Sequence, residues 1–214
     1  DAQESRGLGD VYKRQALGEG VLKLILTRGD SQRGYAADPA TAARRILQGS
    51  ALSVYPLAHA EQGIRLFPCT TRLAEQPLLA GLKHLNRLEQ VLARAEWRDA
   101  EHAEGLMRDT SGRVIEGVFS NLFLVSQGRL LTADLSRCGV AGVMRAEILF
   151  QAESLGIPAQ VGDISLDQLQ QADEVFVCNS VYGVWPVLGC AGMSWSAGAL
   201  TRKLQGITRA LLDA

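Results

Sequence analysis

The chain has 214 residues, 47% of them hydrophobic, with 22 basic and 23 acidic side chains and a formal net charge of −1. That is enough apolar content to bury a core in one large domain or two small ones. The near-neutral balance and scattered arginines exclude a basic stripe for nucleic acid and a basic amphipathic membrane segment, and no apolar run reaches membrane-spanning length. The start lacks the charged-then-apolar order of a signal peptide. Cys69, Cys138, Cys178 and Cys190 are widely spaced, without Cys-x-x-Cys pairs or histidines at zinc spacing. Reduced thiols in a cytoplasmic protein, and no metal site, are expected.

Glu19 to Thr27 alternates apolar and polar residues, which predicts a half-buried strand ended by the turn chemistry of Arg28-Gly29-Asp30-Ser31. Ala36 to Arg45 carries Pro39 where a first helical turn tolerates it, so a short helix is expected, although its Ala-rich tail leaves the assignment open. A second strand is predicted over Ile46 to Tyr55. Pro56 to Gly63, of mixed polarity between strand-like runs, reads as the linker between a small domain over 16–60 and a larger one over 61–214.

Ile64 to Thr71 reads as a strand and Asn86 to Arg98 as a helix with Leu88, Val91, Leu92 and Ala95 on one face, which puts Lys83 at a strand-to-helix transition. Two hairpins follow: Leu106 to Asp109 with Val114 to Glu116, and Asn121 to Val125 with Arg129 to Thr132 around Gln127-Gly128. Such antiparallel signals favour a mixed sheet or pseudobarrel over a doubly wound parallel sheet. Gly142 to Leu155 is predicted as an amphipathic helix closed by Gly156, with Pro158 beyond it. Ser165 to Gln171 reads as a capped short helix, Glu174 to Cys178 as a buried strand and Ala199 to Leu212 as the C-terminal helix.

Lys13, Lys23, Lys83 and Lys203 are the only lysines. Lys83 ends the apolar approach Leu78-Leu79-Ala80-Gly81-Leu82. In apolar surroundings an ammonium is disfavoured, and the free amine becomes a nucleophile able to form an imine. By composition alone Lys83 reads rather as a lysine lying along leucines with its head in water.

The wider text decides between these. Gly81-Leu82-Lys83-His84-Leu85-Asn86-Arg87-Leu88-Glu89-Gln90-Val91-Leu92 resembles the cofactor-lysine segment of the aminodeoxychorismate lyases. These belong to the fold-type IV pyridoxal phosphate family, with the branched-chain and D-amino acid aminotransferases. Further matches follow in order: Gly20-Val21-Leu22-Lys23, Thr27-Arg28-Gly29 with Arg33-Gly34-Tyr35, Val114-Ile115-Glu116 with Ser120-Asn121-Leu122-Phe123, Gly139 to Arg145, and Ala172-Asp173-Glu174-Val175 with Cys178-Asn179. The resemblance implies an α+β, two-domain fold, with a truncated small α/β domain and a larger mixed-sheet pseudobarrel domain flanked by helices.

Pyridoxal 5'-phosphate needs an imine-forming amine, a carboxylate for its ring nitrogen, a phosphate cradle and a hold on its phenolate oxygen. By resemblance Lys83 supplies the first and Glu116 the second; without the resemblance Glu116 would read as an exposed strand-end residue. The phosphate would fall to the backbone of Val143 and Met144 at a helix N-terminus and to the Ser180 hydroxyl. Asn86 and Arg87 are candidates for orienting the phenolate or a substrate carboxylate, and an arginine at position 87 argues for the lyase. Arg33, Tyr35 and, more weakly, Arg72 are candidates for substrate anions, or else ordinary surface and packing residues.

Asp10-Val11-Tyr12-Lys13-Arg14-Gln15 departs from the family, whereas Ser5-Arg6-Gly7-Leu8-Gly9 before it resembles the family's opening element. The hexapeptide resembles a translated sequencing adapter, which makes 1–15 a damaged or non-native leader; a natural deletion bridged by a polar turn is the alternative. Either way, no residue matches the family's His-x-x-Arg-Leu arginine, which binds the cofactor phosphate. The resemblance implies conversion of 4-amino-4-deoxychorismate to 4-aminobenzoate and pyruvate by a homodimer. The alternatives are a branched-chain or D-amino acid aminotransferase and a non-catalytic fragment.

Overall fold

A computed structural model of the chain describes residues 20–213. The expectations for the leader, with its Arg6-Gly7-Leu8 element and adapter-like hexapeptide, lie outside the described residues. The chain divides into two compact units between Val54 and Tyr55. The first contains the antiparallel pair β1 (Gly20–Thr27) and β2 (Arg44–Ala51), in register from Gly20 opposite Ala51 to Thr27 opposite Arg44. No helix forms over Ala36 to Arg45. Asp38 instead closes a turn, its carbonyl accepting the Thr41 N–H at 3.1 Å and its Oδ1 the Ala40 N–H at 2.8 Å. This is the local competition by which a short acidic side chain displaces helix.

The second unit opens with α1 (Leu57–Glu61), so the stretch read as a linker is partly helical and follows the division between the units. Its elements continue in chain order as β3 (Ile64–Leu73), α2 (Leu88–Arg94), β4 (His102–Asp109), β5 (Val114–Gly117), β6 (Asn121–Ser126) and β7 (Arg129–Ala133). There follow α3 (Val143–Ser154), β8 (Ala159–Gly162), α4 (Leu166–Gln170), β9 (Glu174–Asn179), β10 (Gly183–Cys190), β11 (Met193–Ser194) and α5 (Ala199–Leu212).

The pairings close a circuit. β3 lies parallel to both β10 and β4; β4 pairs antiparallel with β5, β5 with β6, β6 with β9 and β9 with β10. β7 with β8, and β11, extend the sheet outside this ring. The result is the expected mixed-sheet pseudobarrel with flanking helices. Period-two alternation decides which side chains fill it. In β6, Leu122 and Leu124 join one core with Val175 and Val177 of β9, while Phe123 and Val125 face a second core with Phe176, Met144 and Ile148 of α3 and Leu204 of α5. Phe123 and Phe176 stack with ring centroids 5.0 Å apart.

The helix after Lys83 is shorter than expected and turned the other way. Gln90 and Ala93 are buried, whereas Leu88, Val91 and Leu92 are exposed. Among the described residues no helix is long and apolar enough to cross a membrane.

Candidate active site

Lys83 sits in the connection from β3 to α2, which is tied down on both sides of the lysine. Gly81, at φ +77°, donates its N–H to Gly139 O at 2.9 Å and accepts the Ala141 N–H at 3.0 Å, so the loop pairs in parallel with the segment leading into α3. Beyond the lysine, Arg87 folds back and donates Nε to His84 O at 3.0 Å and Nη2 to Leu82 O at 2.6 Å. One guanidinium thus holds the carbonyls that bracket Lys83. Lys83 itself is exposed, and Leu78, Leu82 and Leu85 turn outward with it. The apolar surroundings expected for the amine are not found around it in the single chain.

Glu116, at the inner edge of β5, is only 3% exposed and pairs across the barrel wall with Asn121. It is no surface strand-end residue. Its Oε2 accepts the Val140 N–H at 2.8 Å and lies 3.5 Å from Asn121 Nδ2, leaving Oε1 without a protein donor among the described residues. Burial pushes the carboxyl up to about 7 against the pull of the Val140 N–H, Arg87 and Lys83, and the charge of Glu104 adds to the rise. A Cβ on Gly139, whose φ is +86°, would come within 2.7 Å of Leu135 Cδ2 and 3.2 Å of Glu116 Oε2. The backbone passes this carboxylate where only glycine fits.

Asn121 joins the pieces. Its Nδ2 donates to Val140 O at 2.7 Å and its Oδ1 accepts the Gly142 N–H at 3.2 Å, which fixes the entry to α3. Gly142 caps that helix without any side-chain hydrogen bond, so the first-turn N–H groups have no side-chain acceptor. Val143 is exposed there and Met144 buried. Across from them Asn179 shapes the β9–β10 turn, its Oδ1 accepting the N–H groups of Val181 at 2.9 Å and Tyr182 at 3.1 Å, which leaves Ser180 exposed at the tip.

Lys83, Arg87, Glu116, Val143, Met144 and Ser180 all line one cavity of about 560 Å³, within the range of small-molecule sites. Tyr55, Phe119 and Val181 give it an apolar side. Two candidates of the same unit, Arg72 and Asn86, are not brought into it. Arg72, on β3, donates to Cys69 O at 2.8 Å and lies outside the lining. Arg33 and Tyr35 belong to the β1–β2 connection of the first unit, where both are exposed and Tyr35 has φ +65°. Asn86 lines a separate cavity of about 80 Å³ with His84 and Gln90. Asn121, Glu104, Tyr55 and Phe119 were not singled out from the sequence. An amide inside an otherwise apolar strand, as in Ser120-Asn121-Leu122-Phe123, is a signal that could have found Asn121, because buried polar groups are there to be hydrogen-bonded.

Residues 5–190 match the family model for class IV amino-transferases. The chain belongs to this family. It is 41% identical over 189 residues to the aminodeoxychorismate lyase of Vibrio harveyi, a match covering 86% of this chain and 70% of that protein. The crystal structure of 4-amino-4-deoxychorismate lyase from Pseudomonas aeruginosa is 62% identical, with a TM-score of 0.90 over 93% of this chain and 74% of that one. The branched-chain amino acid aminotransferase of Escherichia coli shares the fold at a TM-score of 0.80 and 24% identity, covering 95% of this chain and 69% of its own. The chain spans only part of each of these relatives. The identities to these two lyases, 41% and 62%, exceed the 24% to that aminotransferase.

Proposed function

We propose that this chain carries the active site of a pyridoxal phosphate-dependent lyase that splits 4-amino-4-deoxychorismate into 4-aminobenzoate and pyruvate. One observation carries the reading: Lys83, Glu116 and the uncapped start of α3 line one cavity, in a chain 62% identical to a lyase of that specificity. The donor set suits the cofactor, with a primary amine, a buried carboxylate with one oxygen free of protein donors, and helix N-terminal amides beside a serine hydroxyl for a phosphate. When bound, pyridoxal phosphate supplies an aldehyde to hold an amine covalently and a protonated ring to take up an electron pair.

The protein's residues do the rest. Lys83 Nζ would hold the cofactor aldehyde and would be the group positioned to carry a proton from the amine-bearing carbon of the substrate. Glu116 Oε1 would accept the hydrogen bond of the ring nitrogen, a contact that would favour the ionised carboxylate that burial alone opposes. The N–H groups of Val143 and Met144 and the Ser180 hydroxyl receive the phosphate, with the α3 dipole behind them. Arg87 keeps the Lys83 loop in place, and the apolar wall of Tyr55 and Phe119 faces the substrate ring. Release of pyruvate leaves an aromatic ring, a driving force that transamination lacks.

On this reading β1 and β2 are what remains of a small domain. A second copy of the chain covers the exposed run from Leu78 to Leu92, because so large an apolar stretch is costly in water. Four free, buried cysteines support a reducing, cytoplasmic location. The test is incubation with pyridoxal phosphate and 4-amino-4-deoxychorismate without a keto acid. Equal amounts of pyruvate and 4-aminobenzoate are expected. Amino-group transfer from a branched-chain amino acid to 2-oxoglutarate, with no cleavage, would show an aminotransferase instead.

A further inference from the structure

We propose that Glu104, buried beneath the β5–β6 turn, is a positioning residue that grips Val118, Phe119 and Ser120 and so holds the wall of the cavity next to Glu116. Glu104 lies on β4 with no exposed surface. Its Oε1 accepts the N–H groups of Gly105 at 2.7 Å and Val118 at 2.9 Å. Its Oε2 accepts the Ser120 hydroxyl at 2.7 Å and the Phe119 N–H at 3.3 Å. Both oxygens act as acceptors toward donors from the turn. A carboxylate meets that demand; a neutral acid would have to turn one oxygen into a donor and release part of the turn.

The grip is close. A Cβ on Gly117 would overlap Ser120 Oγ and come 2.8 Å from Glu104 Oε2. Gly117 N donates to Ser120 O at 2.7 Å across the turn, and Asn179 Nδ2 donates to Phe119 O at 3.3 Å from the β9–β10 side. Gly117, Val118, Phe119 and Ser120 all line the cavity, so whatever moves this turn reshapes the site.

Glu104 has no cationic partner among the described residues, and burial pushes its carboxyl up to about 7 even though Ser120 and three backbone N–H groups pull it down. Glu116 feels its charge from the far end of the same turn, and the buried hydroxyl of Tyr182 and thiol of Cys69 feel it too. Lys83 and Arg87 act on Glu116 from the loop before α2, and Glu116 in turn acts on Cys138 and Arg145. The charge of Glu104 therefore adds to the rise at Glu116. Their effect on each other must be reciprocal.

The bearing of this pair on the cofactor rests on the proposed function; the grip on the turn does not. The test uses the full chain, free of cofactor and labelled with ¹³C in the glutamate carboxyl groups, titrated by NMR as wild type, Glu104→Gln, Glu116→Gln and Ser120→Ala. In Glu104→Gln the Glu116 signal is expected to titrate lower. Glu116→Gln, which leaves the turn intact, is expected to move Glu104 down equally. Ser120→Ala should raise Glu104 and lower Glu116. Pyridoxal phosphate, titrated by absorbance, should bind Glu104→Gln at least about tenfold more weakly, the cost of one charge-assisted hydrogen bond. If Glu116→Gln leaves the titration of Glu104 unmoved, or Glu104→Gln folds with that of Glu116 unchanged, the proposal is overturned. Should the shifts appear while even wild type fails to bind pyridoxal phosphate, the positioning role stands and the cofactor reading falls.

Discussion

Glu116 accepts the backbone N–H of Val140 at 2.8 Å, so a buried carboxylate is tied directly to the segment that leads into α3. Gly81, two residues before Lys83, pairs with the same Val140. The amine, the carboxylate and the helix N-terminus are therefore set relative to one another by backbone hydrogen bonds, and the cavity geometry survives changes to single exposed side chains.

Lys83→Ala tests this directly. The lysine is exposed and makes no hydrogen bond or ion pair among the described residues, so thermal unfolding should show a stability change within about 0.5 kcal/mol of wild type. Lyase turnover should fall by at least about a thousandfold, as expected when both a covalent anchor and an acid–base group are lost. A large loss of stability would mean that Lys83 is a structural residue.

Asn121→Ala removes both hydrogen bonds that fix the entry to α3. The expected cost is ~1–3 kcal/mol in chemical denaturation, because the part-buried Val140 carbonyl loses its partner. Cofactor affinity should weaken in parallel, whereas a variant at an exposed position of the same helix, Phe150→Ser, should leave it alone.

Stability should depend on pH through three carboxyls. Glu104 and Glu116 have folded-state values raised by burial to about 7 from an ordinary 4.5. The native state then holds more protons than the unfolded state between those limits. Their contribution is fully present below 4.5 and is lost as pH rises through about 7. Glu96 has the opposite sign. Burial raises its carboxyl, but hydrogen bonds from the backbone and hydroxyl groups of Thr70 and Thr71 outweigh this and bring it down to about 2. Its contribution is present above 4.5 and is lost as pH falls toward 2. Denaturation midpoints of the cofactor-free protein should therefore fall between pH 5 and 8, and Glu116→Gln should flatten that limb.

The leucine face of α2 makes a separate prediction. Leu88 and Leu92 are 70% and 61% exposed, and a second copy is expected to cover them. Sedimentation should give a dimer for wild type and a monomer for the double variant Leu88→Glu, Leu92→Glu. A monomeric wild type would remove the dimer from the account.

Much of the barrel could be read in advance because its strands announce themselves locally. Gln127-Gly128, both at positive φ, form the turn predicted between β6 and β7, and Ser165 with Gln168 forms a full capping box on α4. β10 was missed because Gly183, Pro186 and Gly189 punctuate it like a loop, and only its pairing with β9 and β3 makes it a strand. Tertiary context also decided α2: its leucines carry helical periodicity, but the face they form is not the one the barrel buries. At the site, Lys83 and Glu116 stood out through resemblance to a family, whereas Glu104 carries no local signal. Its meaning lies in a turn fourteen to sixteen residues further along the chain.

Borohydride reduction of the chain mixed with pyridoxal phosphate, followed by peptide mass spectrometry, tests the central claim most directly. A pyridoxyl group confined to the peptide containing Lys83, and lost in Glu116→Ala at the same cofactor concentration, is the expected result. Labelling spread equally over Lys23, Lys83 and Lys203, or unaffected by the loss of Glu116, would contradict a cofactor site built from this amine and this carboxylate.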